Sequence, residues 1–221
     1  MSRPTLVIAN KNYSSWSMRA WVLLRAFRIE FDEVMVKLGS EAWKRDLRRY
    51  SPTGLVPALL LENEPVWDTL AIVETVAERW ADRPVWPAQS RARQVARSIC
   101  AEMHSGFRDL RSAMPMNIRS RYPGRGMTPG VREDIARITA IWSECRQRFG
   151  GDDEFLFGAL GAADAFHAPV VMRFVTYAVA LPPACEAYAN AIQAHPAVAE
   201  WIAAARAETE VVVEDEPYAA P

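Results

Sequence analysis

Ser51-Pro52-Thr53-Gly54-Leu55-Val56-Pro57-Ala58-Leu59, followed at a short distance by Asp68-Thr69, is the stretch that decides the fold. A polar residue, Pro and Gly end a helix here, and Val-Pro opens an apolar strand. Proline fixes φ and cannot donate a ladder hydrogen bond, so Pro57 belongs at a strand start or edge. The backbone of Val56 is then free for another partner. Beyond this strand, Glu62-Asn63-Glu64 separates Pro57–Leu61 from Pro65–Trp67, which reads as a tight antiparallel hairpin. Asp68 or Thr69 then starts a helix through Trp80, with an acid and a hydroxyl beside its free N–H groups.

Upstream, Thr5–Ala9 is a short continuous apolar run, as expected of a central buried strand. Ala20, Leu23, Leu24 and Phe27 recur at helical spacing, Phe31–Leu38 reads as a second strand, and Ser40 can cap a helix to about Tyr50. The order is β-α-β-α-β-β-α, that of a thioredoxin-like domain over residues 1–81. Asp82-Arg83-Pro84-Val85-Trp86-Pro87 lies in a linker over 82–89, because two prolines interrupt any periodicity. From residue 90 to 221 the pattern is all helix. One long helix is expected from Gln89 toward Arg121, kinked or split at Pro115. Others run from Thr128 to Phe149, from Ala162 to about Ala180, and from Pro196 onward. The acidic tail after Thr209 is either disordered or laid across the surface.

The chain has 221 residues, half of them hydrophobic, and a net charge of -1. No apolar run approaches the ~18 residues of a membrane span, and the first strand is too short for a signal-peptide core. These features predict a cytoplasmic protein with no membrane or nucleic-acid partner. Cys100, Cys145 and Cys185 are far apart and have no metal-ligand spacing, so they are expected to be buried thiols, with no metal. Charge is unevenly spread: residues 91–148 hold 12 Arg against 5 acids, and residues 152–221 hold 2 Arg against 11. Solvated helix faces explain this, as does an electropositive cleft for an anion.

Tyr13-Ser14-Ser15-Trp16-Ser17-Met18-Arg19 joins the first strand to the first helix. Serines at a helix N-terminus cap it, and the same end favours an anion. Together with Val56-Pro57 and Asp68-Thr69, the stretch resembles the cytosolic glutathione transferases. Those of the Zeta class carry Ser-Ser-Cys, two further residues and Arg; Ser14, Ser15 and Arg19 match, and Trp16 stands in place of the cysteine. The resemblance runs from Leu6 to about Ala207. It implies an α/β thioredoxin-like domain that binds glutathione, an all-α bundle domain that takes a hydrophobic electrophile, and a homodimer. It also implies a cis Val56–Pro57 bond that presents Val56 to glutathione.

On that resemblance, the catalytic candidates are Ser14, favoured, and Ser15. The glutathione-binding candidates are Tyr13, Trp16, Lys37, Lys44, Val56, Pro57, Asp68 and Thr69, with Tyr13 a third candidate for the sulfur. A free thiol has pKa ~8.5, and a hydroxyl donating to the sulfur lowers it. One such bond, at ~1.5–3 kcal/mol, matches a shift of one or two units. No Cys-x-x-Cys is present, so dithiol exchange is excluded. His104, Phe107, Met114 and Asn117 are expected to line the electrophile pocket. Asp164, three residues after Gly161, is assigned to a capping box, and His167 and His195 to structure. Two alternatives remain at this point: a glutathione-dependent cis-trans isomerase of the maleylacetoacetate type, and a non-catalytic binding or adaptor protein.

Overall fold

A computed structural model describes residues 3–40 and 42–219. Strand β1 (Thr5–Ile8) pairs in parallel with β2 (Asp32–Met35) and antiparallel with β3 (Ala58–Leu61), which pairs antiparallel with β4 (Glu64–Trp67). The sheet order is β2-β1-β3-β4. Helices α1 (Ser15–Ala26), α2 (Trp43–Leu47) and α3 (Thr69–Arg79) complete this thioredoxin-like half. Leu6, Val7, Ile8 and Leu59 are fully buried, as the apolar runs require; each such side chain stabilises the fold by roughly 1.5–3 kcal/mol.

Register fixes where a site can form. Val7 is opposite Ala58, and Ala58 is opposite Trp67. The exit of β1, the entry of β3 and the exit of β4 therefore share one end of the sheet. The Tyr13–Trp16 turn, Pro57 and Thr69 are gathered there.

Residues 80–89 hold no helix or strand, and the regular elements described after them are helices, joined by irregular stretches such as 151–161. Helices α4 (Ser90–Ser105), α5 (Arg108–Ala113), α6 (Pro129–Cys145), α7 (Ala162–Tyr177), α8 (Pro183–Ala194) and α9 (Pro196–Ala207) follow in order. Helix α7 is buried along almost its whole length and packs on α1 and α4. Asp164 makes the half of a capping box that Gly161 leaves possible, accepting from Gly161 N at 2.9 Å; its other oxygen accepts from Leu156 N and the Tyr188 hydroxyl, both at 3.1 Å.

Several boundaries differ from expectation. The helix expected from Gln89 to Arg121 breaks first at Gly106–Phe107, and its second piece, α5, ends at Ala113, just before Pro115. Phe107 adopts a left-handed φ of 58°, and a Cβ on Gly106 would lie 2.8 Å from the Glu102 carbonyl. The Arg111 guanidinium closes the break by donating to the Gly106 and Met103 carbonyls. Residues 114–128 are irregular. Helix α7 stops at Tyr177, where Ala178 is left-handed, and α6 ends in a wide π turn over Arg146–Gly150. The region expected to form a helix from Ser40 to Tyr50 holds only the short α2; Glu41 lies outside the described residues.

Candidate active site

Two adjoining chambers open at the shared end of the sheet. The first, about 300 Å3, is lined by Trp16, Thr53, Leu55, Val56, Pro57, Trp67, Asp68, Thr69 and His104. The second, about 340 Å3, is walled by Tyr13, Ser14, Ser15, Trp16, Val56, Arg111, Met116, Arg173 and Asp215 among others. Trp16, Leu55 and Val56 belong to both.

In the first chamber the Val56–Pro57 bond is cis. Val56 precedes β3, and its N–H and C=O pair with no other described backbone group. Asp68 caps α3, its carboxylate accepting from Leu70 N at 2.9 Å, with φ at +74°. An aspartate in that region stores about 1–3 kcal/mol and is held by its surroundings. Thr69 is 1 % exposed, and its Oγ1 has no hydrogen-bond partner among the described residues. A buried hydroxyl left so costs about 1–3 kcal/mol, a burden that a ligand can relieve.

The second chamber is cationic. Arg19 is almost wholly buried over the Trp16 and Phe166 rings, and burial, then repulsion by Arg111 and Arg173, pulls its pKa well down. Arg111 lies 5.1 Å from the Trp16 ring centroid on its own approach. Among the described residues, none of Arg19, Arg111 and Arg173 has a carboxylate within 4.0 Å. Asp215 supplies the acid on this wall, and burial raises its pKa.

The serines differ in what they touch. Ser14 caps α1: its Oγ accepts from Ser17 N at 3.3 Å and donates to Ser17 Oγ at 2.7 Å. Ser15 Oγ accepts from Arg173 Nη2 at 3.2 Å. Tyr13 lines the chamber, but its hydroxyl accepts from Arg119 at 2.9 Å and donates to Glu216 at 2.5 Å. Burial and Glu216 raise its pKa.

The remaining expected residues scatter. Lys37 pairs with Glu210 of the tail, and Lys44 lies over the Trp43 ring; neither lines a chamber. Of His104, Phe107, Met114 and Asn117, His104 alone lines one. The break after α4 turns Phe107 and Met114 into the core. Asn117 Oδ1 instead accepts from Asn12 Nδ2 at 2.9 Å, tying the two halves together. Met116, two positions on from Met114, takes the wall. The sequence pattern assigns no role to Arg111, Arg173 or Asp215. The available signal was Arg173, the single charge in the apolar run Ala165–Ala180.

The tail over residues 210–219 lies across the cleft. Glu208 accepts from Lys11 N and Asn12 N at 2.6 and 3.0 Å, and Glu216 accepts from Tyr13 and Tyr122. A hollow of about 430 Å3 on the far side of α7, against α8, holds none of these residues. The cysteines are buried; burial pushes Cys100 well up and Cys145 up to about 12, so neither is a ready nucleophile. No group of three or more His, Cys, Asp or Glu among the described residues is arranged to hold a metal, and no described helix is long and apolar enough to cross a membrane.

Comparison with known proteins agrees with this fold. Residues 13–79 match the family model for the glutathione S-transferase N-terminal domain, and residues 128–204 that for the C-terminal domain. A probable maleylacetoacetate isomerase of Caenorhabditis elegans is 25 % identical over 156 residues, covering 68 % of this chain and 72 % of that protein. A Zeta-class glutathione S-transferase of Euphorbia esula is 23 % identical over 175 residues, covering 76 % and 78 %. The crystal structure of a glutathione transferase homolog from Burkholderia gl BGR1, with bound glutathione, superposes with a TM-score of 0.70 at 22 % identity, covering 93 % of this chain and 99 % of that one. With both halves matched in order around a cleft built at the shared sheet end, the chain belongs to the glutathione S-transferase family, near its Zeta class.

Proposed function

We propose that the protein is a glutathione transferase of the serine type. In this reading residues 1–81 hold glutathione, residues 82–89 link, and residues 90–221 supply the electrophile wall. The observation that carries it is the unpartnered, buried Thr69 hydroxyl at the start of α3, beside the Asp68 carboxylate and the free Val56 backbone. Glutathione's γ-glutamyl end brings a carboxylate for the hydroxyl and helix N–H groups and an amine for Asp68. Its cysteinyl backbone then lies along Val56, which also lines the serine chamber, so the sulfur enters beside Ser14 and Ser15.

There a hydroxyl donor and the cations favour the thiolate over the thiol. The thiolate forms a C–S bond at an electrophilic carbon. In a displacement the leaving group departs with its electron pair; in an addition the resulting carbanion takes a proton. The chamber's apolar members, Leu55, Trp43 and Met116, suit a hydrophobic electrophile. The reading extends to a cytoplasmic homodimer with a detoxifying role, and light scattering tests the dimer.

A second reading is favoured by Arg111 and Arg173, which share one wall and have no ion-pair partner among the described residues. They suit an electrophile bearing carboxylates, as in the cis-trans isomerisation of an enone diacid. In that chemistry the thiolate adds, the former double bond rotates, and the thiolate leaves unchanged. Calorimetry with glutathione, followed by assays with an aryl halide and a cis-enone diacid, tests both. Binding with turnover of the halide supports transfer, and diacid isomerisation supports the second reading. Binding without turnover of either leaves the non-catalytic alternative, and no binding overturns the assignment.

A further inference from the structure

We propose that Ser15, not Ser14, donates the hydrogen bond to the glutathione sulfur, and that Arg173 of α7 is its positioning residue. The inference rests on the reading that glutathione occupies the cleft. A serine hydroxyl has one hydrogen and two acceptor lone pairs. Ser14 commits its hydrogen to Ser17 Oγ, at 2.7 Å, and accepts from Ser17 N. Ser17 Oγ is itself committed as acceptor to Ala9 N at 3.0 Å, so this relay locks the end of β1 to the first turn of α1. Ser14 is thereby a capping residue.

Ser15 is placed the opposite way. Its oxygen takes a hydrogen from Arg173 Nη2 at 3.2 Å and gives none to any described residue. A cation on the lone pair polarises the O–H, whose hydrogen remains available on the wall that Val56 also lines. Two further bonds fix Arg173 in this position. Its Nε donates to the Met114 carbonyl at 2.9 Å and its Nη1 to the Pro169 carbonyl at 3.4 Å. It is 5 % exposed, and its hydrogen-bond partners are all neutral. Burial, then repulsion from Arg111, pulls its pKa down to about 9; Asp215 on the same wall acts the other way from beyond ion-pair distance and leaves the charge only partly offset. An arriving thiolate offsets that charge. Arg173 thus acts on the sulfur through Ser15, linking the bundle to the first turn of α1.

Thiolate absorbance of bound glutathione against pH tests this in the wild type and in Ser14→Ala, Ser15→Ala, Arg173→Gln and Arg173→Lys. Ser15→Ala is expected to raise the thiol pKa by about one unit, a tenfold loss of thiolate below it. Arg173→Gln should raise it in part, Arg173→Lys should restore much of the loss, and Ser15→Ala with Arg173→Gln should shift less than the sum. Ser14→Ala should lower thermal stability and leave the titration in place. A shift in Ser14→Ala without one in Ser15→Ala overturns the assignment, and additivity of Ser15 and Arg173 overturns the positioning role. If Arg173→Gln does not fold, Ser15→Ala and Arg173→Lys still decide, since the lysine must then keep the thiol within about half a unit of wild type. Calorimetry on the wild type separates the two levels: failure to bind glutathione sinks the underlying reading, whereas binding with these shifts absent sinks only the inference.

Discussion

The Asp68 carboxylate lies 3.3 Å from His104 Nε2, joining the cap of α3 to the last turn of α4 across the mouth of the smaller chamber. His104 also meets the Trp16 ring edge-on at 5.1 Å. The imidazole therefore steadies the acid that would face the γ-glutamyl amine. Both groups are partly exposed, which limits such a pair to about 0.2–1 kcal/mol. His104→Ala is expected to raise the glutathione Kd about two- to fivefold and to leave affinity for an analogue lacking the α-amine unchanged. Equal losses for both ligands, by calorimetry, would show that His104 merely fills space.

Thr69→Val keeps the shape of the side chain and removes its unpartnered hydroxyl. Without ligand the variant should unfold at the same urea concentration as the wild type or a higher one, because a buried oxygen without a partner is costly. Glutathione affinity should fall by about 1.5–3 kcal/mol, the scale of one hydrogen bond to a charged group. Lower stability with intact affinity would place the ligand elsewhere.

Glu216 clasps the tail by accepting from Tyr13 and Tyr122 at 2.5 and 2.9 Å. Glu216→Ala should speed amide exchange of residues 212–219 about tenfold, corresponding to ~1.4 kcal/mol of local opening. Unchanged exchange would mean that Glu208 and Arg119 hold the segment alone.

Acid should weaken the helical half through His167. Its Nδ1 accepts from Trp142 Nε1 at 2.7 Å, which requires a neutral ring. Burial, helped by Arg19 and Arg111, lowers its pKa from 6.5 to about 3. The unfolded chain therefore binds the extra proton first, and this contribution is complete above pH 6.5 and declines as pH falls from there toward 3. Asp164 opposes it. Burial raises its pKa from 3.8 to about 6, so its contribution is present below 3.8 and lost as pH rises through 6. The comparison with His167→Asn removes that second slope. The variant should gain on the wild type as pH falls from about 6.5 to about 5, by at most ~1.4 kcal/mol per unit. Parallel urea curves at both pH values would show that His167 does not carry this dependence.

The features legible in the sequence are those that backbone chemistry dictates locally. Val56-Pro57 marks a strand entry, Asp68-Thr69 a helix start and Gly161 to Asp164 a cap; each stands where its residues require. The break at Gly106–Phe107 was hidden because Pro115 is the stronger local breaker. The left-handed turn at Phe107 is instead fixed by Arg111 reaching back across it. Ser14 and Ser15 are chemically identical in sequence and diverge only through Ser17 and a residue 158 positions away. Arg173 was visible as a lone charge in an apolar run, but its target lies on another helix.

Trp16, Leu55 and Val56 form one partition with a ligand space on either side. A molecule on one face sets where the partition stands for a molecule on the other. On the proposed reading, glutathione and the electrophile are therefore expected to be coupled, and coupling of equilibrium affinities is reciprocal: whatever factor one applies to the other's dissociation constant, the other applies in return. Initial-rate kinetics should register this as double-reciprocal lines that meet off the horizontal axis, with an interaction factor that changes when Trp16 is made smaller.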